Sequence, residues 1–293
     1  MSAKNCVFIG LATFDSVYFM PKLPLEDEKI RATNFYNSTG GPAANAAITY
    51  GILGGTASII SPIGETIFGK CVSEELNKYS INIIDIGQNN INPTLASIAV
   101  TGLRGNRTVW SYVEAPAMVK IKVEIARTTM KNFDCCLWDG HYFEIANDLI
   151  SNHLSKEAAL IFDGGSWKKD TDRLLHRVDY AIVSSSFKPP NTSGIDDVFD
   201  FLSSFGIKYI AITSGKNPIQ LSINGTRSSI TPPFTSAVDT LAAGDVFHGA
   251  FAFYLNDGIK NFEEALRKAA SVAARSCEFY GPRLGVIECY NHN

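Results

Sequence analysis

Asp239-Thr240-Leu241-Ala242-Ala243-Gly244-Asp245, continuing as Val246-Phe247-His248-Gly249-Ala250-Phe251, is the stretch whose reading decides the fold. An extended segment, Ser236-Ala237-Val238, enters it, three small residues make the turn, and an apolar helix leaves it. Small residues at such a turn let a ligand approach the backbone, so that successive N–H groups can point into one concavity. The helix adds its unpaired N-terminal donors and the positive end of its dipole. That combination binds anions, phosphates above all. A carboxylate at the rim, Asp245, would repel a phosphate unless its task is to take a proton from a hydroxyl attacking it. A lone Gly-Asp would be read more simply, as a helix cap worth roughly 0.5–2 kcal/mol.

The full heptapeptide resembles the C-terminal signature of the ribokinase-like (PfkB) carbohydrate kinases, Asp-Thr-x-(Gly/Ala)-Ala-Gly-Asp, and matches it at every fixed position. The resemblance implies that Asp245 is the catalytic base and that the amides of Ala242, Ala243 and Gly244 form the anion hole. It also implies a ribokinase-like three-layer α/β fold, a mostly parallel sheet between helices, with a small β-sheet lid over the sugar.

Working outward, a second glycine-rich turn lies about two hundred residues earlier, at Ser38-Thr39-Gly40-Gly41-Pro42-Ala43-Ala44-Asn45-Ala46-Ala47. Two glycines free the backbone to turn tightly, and Pro42 suits the first helical position. Asn45 is an amide on a small, apolar surface, and a buried amide needs partners that sugar hydroxyls can supply. A neighbouring loop could supply them too. The spacing resembles the family's N-terminal Gly-Gly-x-x-x-Asn, which assigns Gly40, Gly41 and Asn45 to sugar binding. Many relatives carry a polar residue where this chain has Pro42. Asn5 to Ala12 reads as a buried parallel strand, and Asp15 follows it, where open α/β sheets collect ligands. The family commonly holds its sugar with an Asp at this place.

Residues 16–37 and 95–113 read as hairpins that the main sheet does not need, and the resemblance makes them the lid. Pro24-Leu-Glu-Asp-Glu-Lys-Ile-Arg31 and Asn106-Arg107-Thr108 are similar to the lid of ketohexokinase- and fructokinase-like members. That similarity adds Asp27, Asn106 and Arg107 as sugar or phosphate contacts, and implies a homodimer through the lid. Arg is physically apt, because its fork pairs phosphate oxygens. A solvated acidic loop and an ordinary hairpin turn are the plain readings of the same residues.

From Val119 onward the pattern is helix–strand alternation, with helices near 122–131, 143–154, 170–177 and 194–205 and strands near 133–138, 158–163, 179–184 and 208–213. Such repeats imply a parallel sheet covered on both faces, and one domain over 1–293. Asn224-Gly225 marks a type I′ hairpin. Thr213-Ser214-Gly215 resembles the family's turn beside the ATP phosphates. Phe279-Tyr-Gly-Pro-Arg283 corresponds to the border of the adenine site, which brings in Gly281. In several relatives a monovalent cation such as K+ lies beside the residue matching Asp239. The family's Asn-x-x-Glu, which acts on Mg2+ through water, is missing: Val183-Ser-Ser-Ser-Phe-Lys-Pro-Pro190 contains no acid.

The bulk numbers agree with an enzyme of small molecules. The 293 residues are 45% hydrophobic with a net charge of −3, which gives no electrostatic case for nucleic acid or membrane partners. No apolar run reaches membrane-spanning length and no signal-peptide pattern opens the chain, so the expected compartment is the cytoplasm. Six scattered cysteines, none in a C-x-x-C pair, read as reduced core residues. The expectation is an ATP- and Mg2+-dependent kinase of a small sugar, a ketose such as fructose. A nucleoside kinase of the same fold and a catalytically silent sugar-binding regulator are the alternatives. A Rossmann dehydrogenase lacks its early G-x-G-x-x-G turn.

Overall fold

The computed structural model describes residues 5–101, 106–114 and 120–291. The chain runs β1 (Asn5–Ile9), β2 (Thr13–Met20), β3 (Asn34–Gly40), α1 (Pro42–Ile52), β4 (Thr56–Ser61), α2 (Ile67–Lys78), β5 (Asn82–Asp85), β6 (Thr94–Thr101) and β7 (Asn106–Tyr112). It continues with α3 (Lys120–Thr129), β8 (Cys135–Trp138), α4 (Phe143–Asn152), β9 (Ala159–Gly164), α5 (Asp172–Leu175), β10 (Tyr180–Ser184), α6 (Ile195–Ser204) and β11 (Tyr209–Ser214). The hairpin β12 (Asn217–Ile223) and β13 (Thr226–Ile230) follows, then α7 (Ala243–Asn256), α8 (Phe262–Ser276) and α9 (Leu284–Asn291).

Among the described residues, nine strands form one sheet in the order β13-β12-β11-β10-β9-β8-β1-β4-β5. It is parallel from β11 to β5, and the β12–β13 hairpin adds an antiparallel edge. Strand residues alternate between two cores. Cys6, Phe8, Cys135 and Leu137 face α1, α7 and α8, while Val7, Ile9, Cys136 and Trp138 face α3 to α6. Strands apolar on both faces need helices on both sides, and the α/β alternation supplies them. Asn224 (φ 50°) and Gly225 (φ 84°) make the expected I′ turn.

A second sheet, β3-β2-β6-β7, stands apart from the first. β2 pairs antiparallel with β3 and parallel with β6, and β6 pairs antiparallel with β7. The chain passes from the large sheet to the small one in three residues, Gly10 to Ala12. Asp139, at the end of β8, fastens that crossing: its Oδ2 accepts from Leu11 N (2.8 Å) and Ala43 N (3.2 Å), and its Oδ1 from His141 N (2.9 Å). Burial alone would raise this carboxyl. The His141 charge and the N–H donors outweigh burial and hold it below the ordinary carboxylate range.

Ser236 to Val238, the segment entering the signature turn, joins no sheet and is tied by Val238 N to the Cys277 carbonyl (2.7 Å). Helix α9 had no counterpart in the sequence reading, which ended on a loop at Arg283. No helix among the described residues is long and apolar enough to cross a membrane. The six cysteines are all free thiols.

Candidate active site

The turn before α7 is built around one strained residue. Ala242 caps the helix in the left-handed region (φ 59°, ψ 13°), a conformation that costs an L-residue roughly 1–2 kcal/mol and that only a small side chain tolerates against a ligand. The kink frees the N–H groups behind it. Ala243 N–H reaches the Thr240 carbonyl at 3.3 Å, and Val246 N–H returns to Ala242 O at 2.8 Å. The N–H groups of Ala242, Gly244 and Asp245 donate to no described residue. A Cβ built on Gly244 meets nothing within 4 Å, so this face is open. Of the three amides expected to form an anion hole, those of Ala242 and Gly244 stand free, as does that of Asp245, while that of Ala243 is turned to Thr240 O.

Asp245 lies in the first turn of α7. Its Oδ2 accepts a hydrogen bond from Asn45 Nδ2 at 2.7 Å. Burial, and then the charge of Asp163, push its carboxyl up to about 7, against the pull of Asn45 and His248. A carboxylate with that affinity can accept a proton at neutral pH and release it afterwards.

Asn45 is buried in α1, and its other end is also taken: Oδ1 accepts from Arg283 Nη1 at 2.8 Å. Arg283 is itself buried, donating from Nη2 to Thr39 O (2.7 Å) and from Nε to Glu75 Oε1 (3.1 Å). Glu75 in turn accepts from Thr39 N. One N–H of the Asn45 amide is left for a ligand.

Asp15 lies on β2 opposite Ser38 of β3, its carboxylate accepting from Thr13 Oγ1. Burial pushes it up to about 6. Gly40 is required beside it, because a Cβ there would sit 1.9 Å from Asp15 Oδ2. Gly41 holds φ 88° with its α-carbon facing the Leu11 carbonyl, 2.3 Å from where a Cβ would stand. From β7, Arg107 Nη1 donates to Thr240 O at 2.7 Å, which brings the small sheet onto the signature turn.

The chain as a whole matches known proteins. Residues 3–288 fit the model of the pfkB family carbohydrate kinases. The chain belongs to that family. This carbohydrate kinase is 25% identical over 284 residues to a ribokinase of Haemophilus influenzae, covering 93% of this chain and 92% of the relative. It is 24% identical to a ribokinase of Bacillus subtilis, covering 97% and 96%. Its fold superposes on the ribokinase of Thermotoga maritima with a TM-score of 0.83 at 22% identity, covering 99% and 100%. It also superposes on the ribokinase of Arabidopsis thaliana, solved with ribose and ATP, at 0.75 and 23%, covering 99% of each chain. The expected ribokinase-like fold is thus the observed one.

Within the kinase, Asp245, Asn45, Arg283 and Thr39 form one bonded chain, and Arg107 meets the signature turn separately, at Thr240. Asp27 is not brought in: it stands exposed in the β2–β3 connection at φ 60°. Asn106 opens β7, and its side chain lies outside the described residues. Thr213 and Gly215 (φ 55°) end β11, two strands beyond Asp163.

Asp239 ties three parts of the site together. Its Oδ1 accepts from Leu241 N (2.8 Å), and its Oδ2 from Gly281 N (3.0 Å) and the Tyr36 hydroxyl (3.5 Å). No group of three or more His, Cys, Asp or Glu among the described residues could hold a metal ion.

Sequence reasoning missed Arg283, His248 and Gly249. Arg283 carries a weak signal, a cation in an otherwise apolar C-terminal stretch. Gly249 carries none, yet α1 and α7 meet there, with Ala46 O 2.3 Å from a Cβ built on it.

Proposed function

We propose that this kinase transfers the γ-phosphoryl group of ATP to a hydroxyl of a small sugar. Ribose is the first candidate, because the relatives are named ribokinases; a ketose such as fructose, suggested by the lid sequence, is the second. The observation that carries the reading is a carboxylate held near neutrality beside three free N–H donors at a helix start.

In this reading the sugar hydroxyl lies between Asp245 and the γ-phosphorus. Asp245 accepts its proton as the oxygen attacks. The Ala242, Gly244 and Asp245 amides and the helix dipole stabilise the charge spread over the phosphoryl oxygens. Asp15 and the remaining N–H of Asn45 hold sugar hydroxyls, with Gly40 and Gly41 letting the ring approach. Arg107 adds positive charge beside the turn. The nucleotide lies along Thr213 to Gly215, with Gly281 near the base. Mg2+ bound to the nucleotide's own oxygens would neutralise phosphate charge.

The fold acts as one domain over 1–293, and the small sheet, from about 16–37 and 95–113, is the lid that keeps water from competing as nucleophile. Phe35 and Trp110, which the strand register puts on one face of the small sheet, are about half exposed. That apolar face suits a homodimer through the lid.

An ADP-release assay across ribose, fructose, other aldoses and ketoses, and nucleosides tests the substrate class. The expected result is the highest kcat/KM on ribose. Preference for a nucleoside would overturn the sugar assignment, and binding without turnover would favour a silent sugar sensor.

A further inference from the structure

His248 sits one turn into α7, 4% exposed, directly behind the signature turn. Its ring bridges two main-chain carbonyls: Nδ1 lies 2.7 Å from Gly244 O and Nε2 lies 3.0 Å from Ile182 O on β10. A carbonyl oxygen can only accept. A neutral imidazole has one donor and one bare nitrogen, and would press a lone pair against one of these oxygens. Both contacts are satisfied together only when both nitrogens carry a proton.

A carboxyl group stands beside the ring: Asp163 Oδ2 lies 3.4 Å from His248 Nδ1 and has no hydrogen-bond partner among the described residues. Burial raises this carboxyl, and the charge of His248 pulls it down. Asp163 is register partner to Ile182 across β9 and β10, so one side chain descending from α7 meets both. It follows Ile161 at the spacing of the same strand face, which is otherwise apolar and packed beneath α7. A buried carboxylate on such a face is costly unless paired.

We propose that His248 is an imidazolium paired with Asp163, and that this buried pair positions the signature turn beside Asp245. Through Nδ1 it fixes the peptide whose other end is the Asp245 N–H, one of the free donors of the anion hole. Through Nε2 it pins that peptide to the large sheet. The charge of Asp163 raises the Asp245 carboxyl and that of His248 lowers it, so the pair balances the base. The other groups facing this cluster are Asp139 and His141 at the end of β8, Lys168 after β9, and Asn45 from α1. His248 is a positioning residue, and the proposal rests on Asp245 being the base.

The direct test is nitrogen NMR of the 15N-histidine-labelled full-length protein at pH 8, with His248 assigned through its backbone. Both ring nitrogens should give the protonated signature; one protonated and one bare nitrogen would overturn the proposal. The second test is the pH profile of kcat/KM. His248→Gln should move the acid limb up by about one pH unit and Asp163→Asn should move it down by about one. The double variant should return near the parent. Variants that lose rate with an unmoved limb would show a merely structural role. Undiminished turnover in Asp245→Asn would instead defeat the base assignment itself, so the two failures are told apart.

Discussion

Asn45 Nδ2 donates to Asp245 Oδ2 at 2.7 Å, across 200 residues of sequence. With Arg283 on its Oδ1, this amide joins the residue expected to hold the sugar to the residue expected to activate it. The carboxylate oxygen is thereby aimed, and occupancy of the sugar site is linked to the geometry of the base. Asn45→Ala should lower kcat by about 10²-fold or more through misaimed chemistry. Asn45→Asp should do worse at low pH, because a second carboxylate at this distance raises the Asp245 carboxyl further. Profiles of kcat/KM against pH for the three proteins check this; the aspartate variant should need the most alkaline solution.

In the parent protein, the same profile should rise with pH through about 7, where Asp245 becomes a base. A second, weaker decline in sugar affinity should appear below about 6, as Asp15 takes a proton. Asp15→Asn should raise the sugar KM while leaving the ATP KM nearly unchanged, and it should abolish that second decline.

Stability should run opposite to activity. Asp245 has its folded-state affinity raised from 3.8 to about 7. Its contribution is therefore fully favourable below about pH 4 and is lost as the pH rises through 7. Asp245→Asn should be more stable than the parent at pH 8, by up to about 4 kcal/mol, with the gap closing near pH 4. Denaturant melts at the two pH values measure it.

Arg283→Ala removes the cation from part-exposed Glu75, which keeps Thr39 N, and removes donors from buried Thr39 O and Asn45 Oδ1. A cost of about 1–3 kcal/mol is expected, the range for leaving buried polar groups without a partner. Arg283→Lys keeps the charge but cannot span three acceptors, so it should recover part of the stability and little of the rate. Gly249→Ala must push α7 from α1 at Ala46 O. Overpacking of this kind costs about 1–3 kcal/mol, and it should also stretch the Asn45–Asp245 contact and lower kcat.

The fold was legible because its signals are local. Alternating strands and helices can be read off Val119 to Ile230, and the Asp239–Asp245 turn carries its small residues, its helix and its acid together. What was not legible is partner choice. Asn45 was read as an amide whose partners are sugar hydroxyls or a neighbouring loop, while Arg283 and Asp245 each take one contact at its two ends; nothing local to residue 45 announces a residue 238 positions away. Ala243 was counted among the anion-hole donors, but the left-handed Ala242 turns its N–H back to Thr240. Asp27 looked like a sugar contact because it is acidic and in the lid; the connection that carries it stays in solvent. Helix α9 was missed because Gly-Pro at 281–282 reads as a chain reversal, yet that reversal is what inserts Arg283 behind Asn45.

The central claim is that Asp245 takes the proton from the attacking hydroxyl. Single-turnover transfer of the γ-phosphoryl group to ribose, measured beside calorimetric binding of ribose and nucleotide, tests it in the Asp245→Asn protein. Transfer should fall by about 10³-fold or more while both affinities stay within a few-fold of the parent. Transfer within about tenfold of the parent, with binding intact, would contradict the account.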